Sequence, residues 1–270
     1  PGMAPKMKRA RPTGWLLNSR FIDMWYGFYC YEADDVVIRG NSYENNIVYG
    51  IDPHDRSRRL IIAENEAFGT RKKHGIIVSR EVNDSWIFNN KSYDNQLSGI
   101  VLDRSSVNNL VAYNETYKNY SDGITLYESS NNLLWQNRSM SNRRHGIRVR
   151  NSLGVSLYEN ILVANHLTGI YGHIKDLSGS ERNLEEDPYE TSVSMRIVGG
   201  QMIGNGSSPI SVHSPSKLEL YKLTILAPQK ASGISFSGLL GERQGEIMDI
   251  LLRQQQAVLI EPVGSLASKE

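Results

Sequence analysis

The sequence lacks the features of several common protein classes. It has a single cysteine, Cys30, which excludes an intramolecular disulfide framework and is predicted to be a small core residue. No apolar run approaches the roughly 20 residues of a membrane-spanning helix. The 30 Lys and Arg residues nearly balance the 29 Asp and Glu residues, so the net charge does not steer the molecule towards nucleic acid. Any polyanionic ligand must therefore meet a local stripe of positive charge.

Signals for metal binding and for targeting are also missing. The sequence has no Gly-Gly-x-Gly-x-Asp nonapeptide array for calcium and no pair of histidines at zinc-binding spacing, so we expect no metal and no other cofactor. No secretion signal opens the chain, which starts at Pro1 and continues with a basic stretch. We interpret residues 1–20 as the interior of a longer chain, and so the N-terminus does not define a compartment.

An internal repeat dominates what is present. Gly followed by Ile recurs every 23 to 25 residues, at Gly50, Gly75, Gly99, Gly123, Gly146 and Gly169. Two Asn columns run in step with it: Asn45, Asn95, Asn119, Asn142 and Asn165, with Thr70 in one coil, and Asn65, Asn90, Asn114, Asn137 and Asn160, with Gly40 in one coil. Short apolar/polar alternations between them favour three strands and three tight turns per coil. This pattern predicts an all-β fold, a right-handed parallel β-helix.

The repeat also predicts the roles of its polar residues and its limits. Asn amides should hydrogen-bond from coil to coil, and Gly should supply positive φ where the chain turns. We assign residues 21–240 to the β-helix, with a polar excursion at 177–190. Residues 241–270 are assigned to a capping helix and tail, because 242–256 carries an apolar stripe at helical spacing.

The strand after each Gly carries the candidate site. Its first and third residues should point into the core, and its second and fourth should point outward. The outward positions and the turn beyond them supply the candidate residues: Asp52, His54, Asp55, Arg80, Asp103, Arg104, Tyr127, Arg148, Arg150 and His173. Because coils stack about 4.8 Å apart, these residues should form a polar ridge. Arginine forks and hydroxyl-binding groups at that spacing suit a uronate polymer, although an ordinary solvated sheet face is the alternative.

One motif on the ridge departs from its neighbours. In Asp52-Pro53-His54-Asp55, Pro53 cannot donate to a strand ladder and is expected to bend the strand and re-aim His54. The flanking carboxylates could orient the imidazole. A plain turn is the alternative, but the position at the head of the ridge, with Arg80 one coil later, favours a functional motif.

The same residues carry a family resemblance. The runs are Tyr-Gly-Ile-Asp-Pro-His-Asp-Arg-Ser (49–57), Lys-Lys-His-Gly-Ile-Ile-Val-Ser-Arg (72–80), Gly-Ile-Val-Leu-Asp-Arg (99–104), Asp-Gly-Ile-Thr-Leu-Tyr-Glu-Ser (122–129) and Arg-Arg-His-Gly-Ile-Arg-Val-Arg (143–150). Over about residues 20–262 the chain resembles the bacterial mannuronan C5-epimerases of alginate biosynthesis. The resemblance implies a periplasmic, calcium-independent isomerase that converts β-D-mannuronate to α-L-guluronate within the polymer. It also implies a periplasmic alginate export complex as partner.

The residues suit that chemistry. Inversion at C5 requires removal of a proton next to a carboxylate, for which His54 is the expected general base and Arg80 the neutralising cation. Asp52 and Asp55 are expected to orient His54, and a water molecule is the preferred proton donor. The remaining ridge residues are expected to hold neighbouring sugars: Asp103, Arg104, Tyr127, Arg148, Arg150 and His173.

Two other functions fit the same ridge. A uronate polysaccharide lyase would use the same base and cation but would expel the C4 oxygen. A non-catalytic scaffold would bind the polymer during export without changing it. Glycoside hydrolysis is less favoured, since it generally needs two carboxylates roughly 5–10 Å apart.

Overall fold

The fold is a coil of short strands in three parallel sheets. The computed structural model describes residues 10–185, 187–227, 234–237 and 258–262, and every helix or strand assigned within them is a strand. The first sheet contains β1 (Gly14–Leu17), β4 (Val36–Arg39), β7 (Ile61–Ala63), β10 (Trp86–Phe88), β13 (Leu110–Ala112), β16 (Leu133–Trp135), β19 (Val155–Tyr158), β22 (Val193–Val198) and β25 (Pro215–Tyr221). The second contains β2 (Arg20–Ile22), β5 (Ser42–Glu44), β8 (Glu66–Phe68), β11 (Lys91–Tyr93), β14 (Glu115–Tyr117), β17 (Arg138–Met140), β20 (Ile161–Val163), β23 (Gln201–Ile203), β26 (Leu223–Ala227) and β28 (Val258–Pro262). The third contains β3 (Tyr26–Tyr31), β6 (Tyr49–His54), β9 (Ile76–Ser79), β12 (Ile100–Asp103), β15 (Ile124–Tyr127), β18 (Ile147–Arg150), β21 (Thr168–His173), β24 (Ser208–His213) and β27 (Ser235–Ser237).

Strand pairing confirms the predicted parallel β-helix. From β1 to β27 each strand pairs in parallel with the strand three places later, so one turn of the chain adds one strand to each sheet. The coil winds to the right, as parallel crossover connections nearly always do. The first coil already begins at Gly14, before the expected boundary at residue 21. In the part of the chain that the structure describes, no helix has the length and apolar character of a membrane span.

The core is a stack of identical rungs. The Ile that follows each repeated Gly is at most 1% exposed in every coil: Ile51, Ile76, Ile100, Ile124, Ile147 and Ile170. These side chains join a continuous apolar cluster along the solenoid axis. Cys30 packs against this cluster, and burial raises the pKa of its thiol to about 11, in agreement with the predicted core role.

Asparagine ladders tie the coils together as predicted. At Asn114, Nδ2 donates to Asn137 Oδ1 (3.0 Å) and to the Ile87 carbonyl (2.8 Å), while its Oδ1 accepts from the backbone and side-chain nitrogens of Asn90 (both 2.9 Å). Two members of the ladders were assigned one residue too early. Asn41 and Asn46 hold the positions predicted for Gly40 and Asn45, because the spacing alone does not reveal the register of the first coil.

The repeated glycines serve a different purpose from the predicted one. Those before Ile do not adopt positive φ. At Gly146, an added Cβ would lie 2.7 Å from the Gly169 carbonyl oxygen and 2.8 Å from Asn165 Nδ2. The column is therefore glycine because neighbouring coils approach too closely for a side chain.

Residues 177–190, predicted to be a polar excursion, lie between β21 and β22. The helix predicted over 242–256 lies outside the described residues. The strand β28 extends the second sheet beyond β26, within the segment assigned to the cap and tail.

Candidate active site

The register of the third sheet builds the predicted ridge. Its fourth-position side chains align rung by rung across the strand pairs, in the order His54, Ser79, Asp103, Tyr127, Arg150 and His173. The turn residues beyond them stack in the same order as Asp55, Arg80, Arg104 and Glu128, through backbone bonds from each coil to the next. We call this set, together with Arg148, the polar ridge.

His54, Asp55 and Arg80 form one contact group at its head. His54 Nδ1 lies 2.8 Å from Asp55 Oδ2, and Arg80 Nη1 lies 3.4 Å from Asp55 Oδ1. A carboxylate at Nδ1 holds the proton there and leaves Nε2 with a free lone pair. Arg80 is 47% exposed at its side chain, so its guanidinium can receive a ligand carboxylate. The group therefore combines a base and a cation on the same carboxylate.

Asp52 does not lie on the open face where the strand alternation placed it. It is only 2% exposed, and its Oδ1 has no hydrogen-bond partner among the described residues. Burial, followed by the charge of Asp55, raises its pKa from 3.8 to about 8. Asp55 rather than Asp52 contacts the imidazole of His54. The carboxyl of Asp52 is thus protonated at neutral pH and adds no negative charge beside His54.

Other second-position side chains are covered too. Ile77, Val101 and Thr125 are at most 5% exposed, although they are not members of the core cluster. Thr125 Oγ1 lies 3.2 Å from Ser98 Oγ and 3.4 Å from Asp122 Oδ2, which belong to the column just before each Gly. That column shields the strand face. The ridge therefore opens mainly at its fourth positions and turns.

Pro53 affects strand pairing rather than the path of the strand. β6 continues through Pro53 to His54, so the proline lies inside the strand. Pairing with β9 is made at Ile51 and His54 and skips the two residues between them. The missing amide proton of Pro53 accounts for this gap.

Farther along the ridge, the charged side chains contact neighbouring ridge residues. Asp103 Oδ2 accepts from Ser79 Oγ (3.2 Å), and Arg104 Nε lies 3.6 Å from the same Asp103 oxygen. Burial raises the pKa of Asp103. The Arg150 guanidinium lies 3.9 Å from the ring centroid of Tyr127.

Arg148 and His173 form a second contact group. His173 Nε2 accepts from Arg148 Nε (3.1 Å), and Arg148 Nη1 lies 3.4 Å from Tyr127 Oη and 3.6 Å from Asp122 Oδ2. Burial, then the charge of Arg148, lowers the pKa of His173 to about 4. The histidine is therefore neutral and orients the arginine.

Several residues of this face were not among the predicted site residues. Tyr49 Oη accepts from Lys73 Nζ (3.3 Å), and the Tyr49 ring stacks on His74 with centroids 6.0 Å apart. His74 Nδ1 accepts from the Ser98 amide (3.0 Å), and burial lowers the pKa of His74 to about 3. Their position directly before the repeated Gly was a usable signal. Arg182, which lies between β21 and β22, carries no repeat signal at all.

Within the described ranges, no group of three or more His, Cys, Asp or Glu side chains is arranged to hold a metal ion. The face instead offers imidazole, guanidinium and hydroxyl groups, which suit an anionic, hydroxylated ligand.

Comparison with known proteins places the fold in a family. The family model described as the right handed beta helix region matches residues 26–175, more than half of the chain. The chain belongs to the right-handed β-helix family.

Its relatives are more specific. A mannuronan C5-epimerase of Pseudomonas putida is 66% identical over 97% of this chain and 51% of its own length. The mannuronan C5-epimerase AlgG of Azotobacter vinelandii is 66% identical over 100% of this chain and 51% of its own. The crystal structure of the periplasmic alginate epimerase AlgG matches 81% of this chain and 51% of that one, with 63% identity and a TM-score of 0.80. The chain spans about half the length of the curated relatives it matches. These matches confirm the family resemblance seen in the motifs.

Proposed function

We propose that this chain provides the active site of an isomerase that inverts C5 of β-D-mannuronate to α-L-guluronate within a polymannuronate chain. The observation that carries this proposal is the contact group of His54, Asp55 and Arg80, in which one carboxylate holds both the base and the cation. The names of the similar proteins support the same substrate and reaction.

The proposed reaction begins with proton removal. Arg80 pairs with the uronate carboxylate, which lowers the cost of placing further negative charge on the neighbouring carbon; such preorganised donors contribute about 3–4 kcal/mol. His54 Nε2 then takes the C5 proton, and general-base catalysis of this kind contributes roughly 10²–10⁴-fold. Asp55 stabilises the imidazolium that forms. Water donates a proton to the opposite face of C5, and the imidazolium of His54 releases its proton to the hydroxide that remains, which completes the inversion and restores the base.

The neutral carboxyl of Asp52 fits this scheme. A second ionised carboxylate beside His54 would repel both the substrate carboxylate and the enolate-like intermediate. Burial keeps Asp52 protonated at neutral pH instead. The attraction between Arg80 and the substrate carboxylate is therefore not weakened by a negative charge on Asp52.

Solvent-isotope exchange tests the role of His54. We expect His54→Ala to abolish incorporation of deuterium at C5 of polymannuronate in heavy water, while binding of the polymer persists. Asp84→Asn, an exposed carboxylate on another part of the coil, is the control and should exchange normally. Undiminished deuterium incorporation by His54→Ala would refute the assignment of the base.

Proton NMR of the products separates the alternatives. Guluronate signals in an intact polymer support epimerisation, whereas unsaturated chain ends identify a lyase. Wild-type protein that binds polymannuronate with neither product would act as a scaffold.

The location and partners follow from the relatives only by analogy. One similar structure is named a periplasmic alginate epimerase, and we extend that location to this protein. We also propose that it associates with a periplasmic alginate export complex. Cell fractionation followed by cross-linking tests both points, since recovery in the cytoplasm alone would contradict them.

A further inference from the structure

The segment between β21 and β22 returns to the polar ridge. We call residues 177–185 and 187–190 the cover segment. Just before its start, the Lys175 amide donates to Asn151 Oδ1 on the coil (2.7 Å). Within the segment, the Leu177 amide donates to Tyr189 Oη (3.1 Å). At its end, Asn151 Nδ2 donates to the Glu190 carbonyl (2.6 Å). The cover segment is therefore held at both ends against the coil.

Arg182 joins the middle of the cover segment to the ridge. Its Nη1 donates to Glu128 Oε2 (2.6 Å), and its Nε donates to Asp187 Oδ2 (3.0 Å). Nη2 lies 2.8 Å from the same Asp187 oxygen without the alignment of a hydrogen bond. The Arg182 side chain is 11% exposed and that of Glu128 is fully buried. Because these ion pairs are buried, they hold Arg182 and its two carboxylate partners in one arrangement, which an exposed ion pair would not do.

Each carboxylate held by Arg182 also holds an arginine of the ridge. Glu128 accepts from Arg150 Nε (2.6 Å) and Nη2 (3.1 Å). Asp187 lies 3.6 Å from Arg104 Nε. The charges therefore alternate in space as Arg104, Asp187, Arg182, Glu128 and Arg150, and the three residues of the ridge among them lie on three successive coils.

The charge count shows what Arg182 contributes. The two carboxylates, Glu128 and Asp187, would by themselves neutralise Arg104 and Arg150. Because Arg182 shares both carboxylates, it makes the net charge of these five side chains more positive by one; Asp103, 3.6 Å from Arg104 Nε, lies outside this count. The cover segment also lines a cleft of about 90 Å³ that Arg80 and Arg104 border, so this charge lies beside the proposed catalytic group.

We propose that Arg182 is a positioning residue for binding of the polyuronate. By bridging Glu128 and Asp187, it holds Arg104 and Arg150 in place and keeps their charge available to the carboxylates of sugars that flank the one at His54. This role rests on the proposed function for the identity of the polymer. It does not require Arg182 to touch the reacting sugar.

Three variants test this role. Arg182→Gln removes the charge and the bridge, and Arg182→Lys keeps the charge but cannot form the same fork to two carboxylates. Arg196→Gln is the matched control, because Arg196 is an exposed arginine on the first sheet with a 3.9 Å ion pair to Glu219. Each protein is first checked by circular dichroism and thermal melting, and then its kcat, KM and Kd for polymannuronate are measured at several salt concentrations.

We expect Arg182→Gln to raise KM and Kd about tenfold, equivalent to about 1.4 kcal/mol, while kcat changes less than about twofold. Its Kd should depend less steeply on salt, because fewer polymer carboxylates are neutralised. Arg182→Lys should recover part of the affinity, and Arg196→Gln should match the wild type. A merely structural role would not change the salt dependence in a folded variant.

Other outcomes would overturn the proposal. The proposal is wrong if either Arg182 variant keeps the Kd and the salt dependence of the wild type. It is also wrong if kcat falls while KM is unchanged. If Arg182→Gln does not fold, the Kd of the Lys variant decides in the same way. If the wild-type protein binds polymannuronate without exchange at C5, the epimerase function is refuted. The effect of Arg182 on Kd then remains a valid test of the positioning role. Absence of polymannuronate binding by the wild type would refute both.

Discussion

The buried carboxyl of Asp52 leads to a specific prediction about pH and stability. Its pKa is raised from 3.8 to about 8, chiefly by burial, so the folded protein retains a proton that the unfolded chain has already released. The stability associated with this proton is complete below about pH 4 and is lost as the pH rises through about 8. Asp52→Asn keeps the shape of the protonated side chain and removes its titration.

The magnitude follows from linkage. One pKa unit corresponds to about 1.4 kcal/mol, and the folded and unfolded proteins differ by one bound proton over most of the range from pH 5 to pH 8. Over these three pH units, the free energy of unfolding should fall by about 4 kcal/mol. The reason is that Asp52 is ionised in the unfolded chain, whereas the folded protein keeps its proton. We therefore expect the stability of Asp52→Asn relative to the wild type to increase by that amount between pH 5 and pH 8.

Urea unfolding, followed by circular dichroism at pH values of about 5, 6.5 and 8, measures the difference. The control is Asp84→Asn, which makes the same substitution at an exposed carboxylate. A constant difference between Asp52→Asn and the wild type would refute the reasoning. It would mean that Asp52 is ionised in the folded protein and paired with a cation.

Three further predictions concern the coil and the site. Asn114→Ala should lower the free energy of unfolding by about 3–5 kcal/mol, because several buried groups lose their hydrogen bonds; urea unfolding should show almost no effect for the exposed Gln96→Ala. Gly146→Ala should cost about 1–3 kcal/mol or more by crowding the next coil, whereas Gly179→Ala, with no atom within 4 Å of the added Cβ, should be nearly neutral in the same assay. Arg80→Gln should reduce kcat/KM for deuterium exchange about 10²–10³-fold, and full activity would contradict its proposed role.

Much of the fold was accessible from the sequence because every coil repeats one environment. The Ile column recurs since each rung needs the same apolar side chain in the core, and the Asn column recurs since each amide must bond to the next. Strand alternation then predicted which side chains share a rung, and pairing places His54 beside Ser79 as that period requires. The reason for the Gly column was not accessible, because it depends on distances between coils.

The repeat was least informative where a side chain's surroundings come from another column. Asp52 alternates outward as predicted, yet it is buried, and burial decides its charge. The pairing of His54 with Asp55 rather than Asp52 likewise depends on the conformation of the turn, where Asp55 has a φ of 35°. The order of residues in the motif does not show which of these two carboxyl groups contacts His54.

The sequence by itself determined the solenoid, its inward and outward columns and the residues that form the polar ridge, because these depend on periods of two residues and of one coil. Only the tertiary structure decided which ridge charges are free, shared or neutral. Arg182 is the clearest case, since it belongs to no repeat and reaches Glu128, 54 positions earlier in the chain, only because the cover segment folds back over the ridge. Electrostatic interactions depend on distance and burial, and neither is encoded in the period of a repeat.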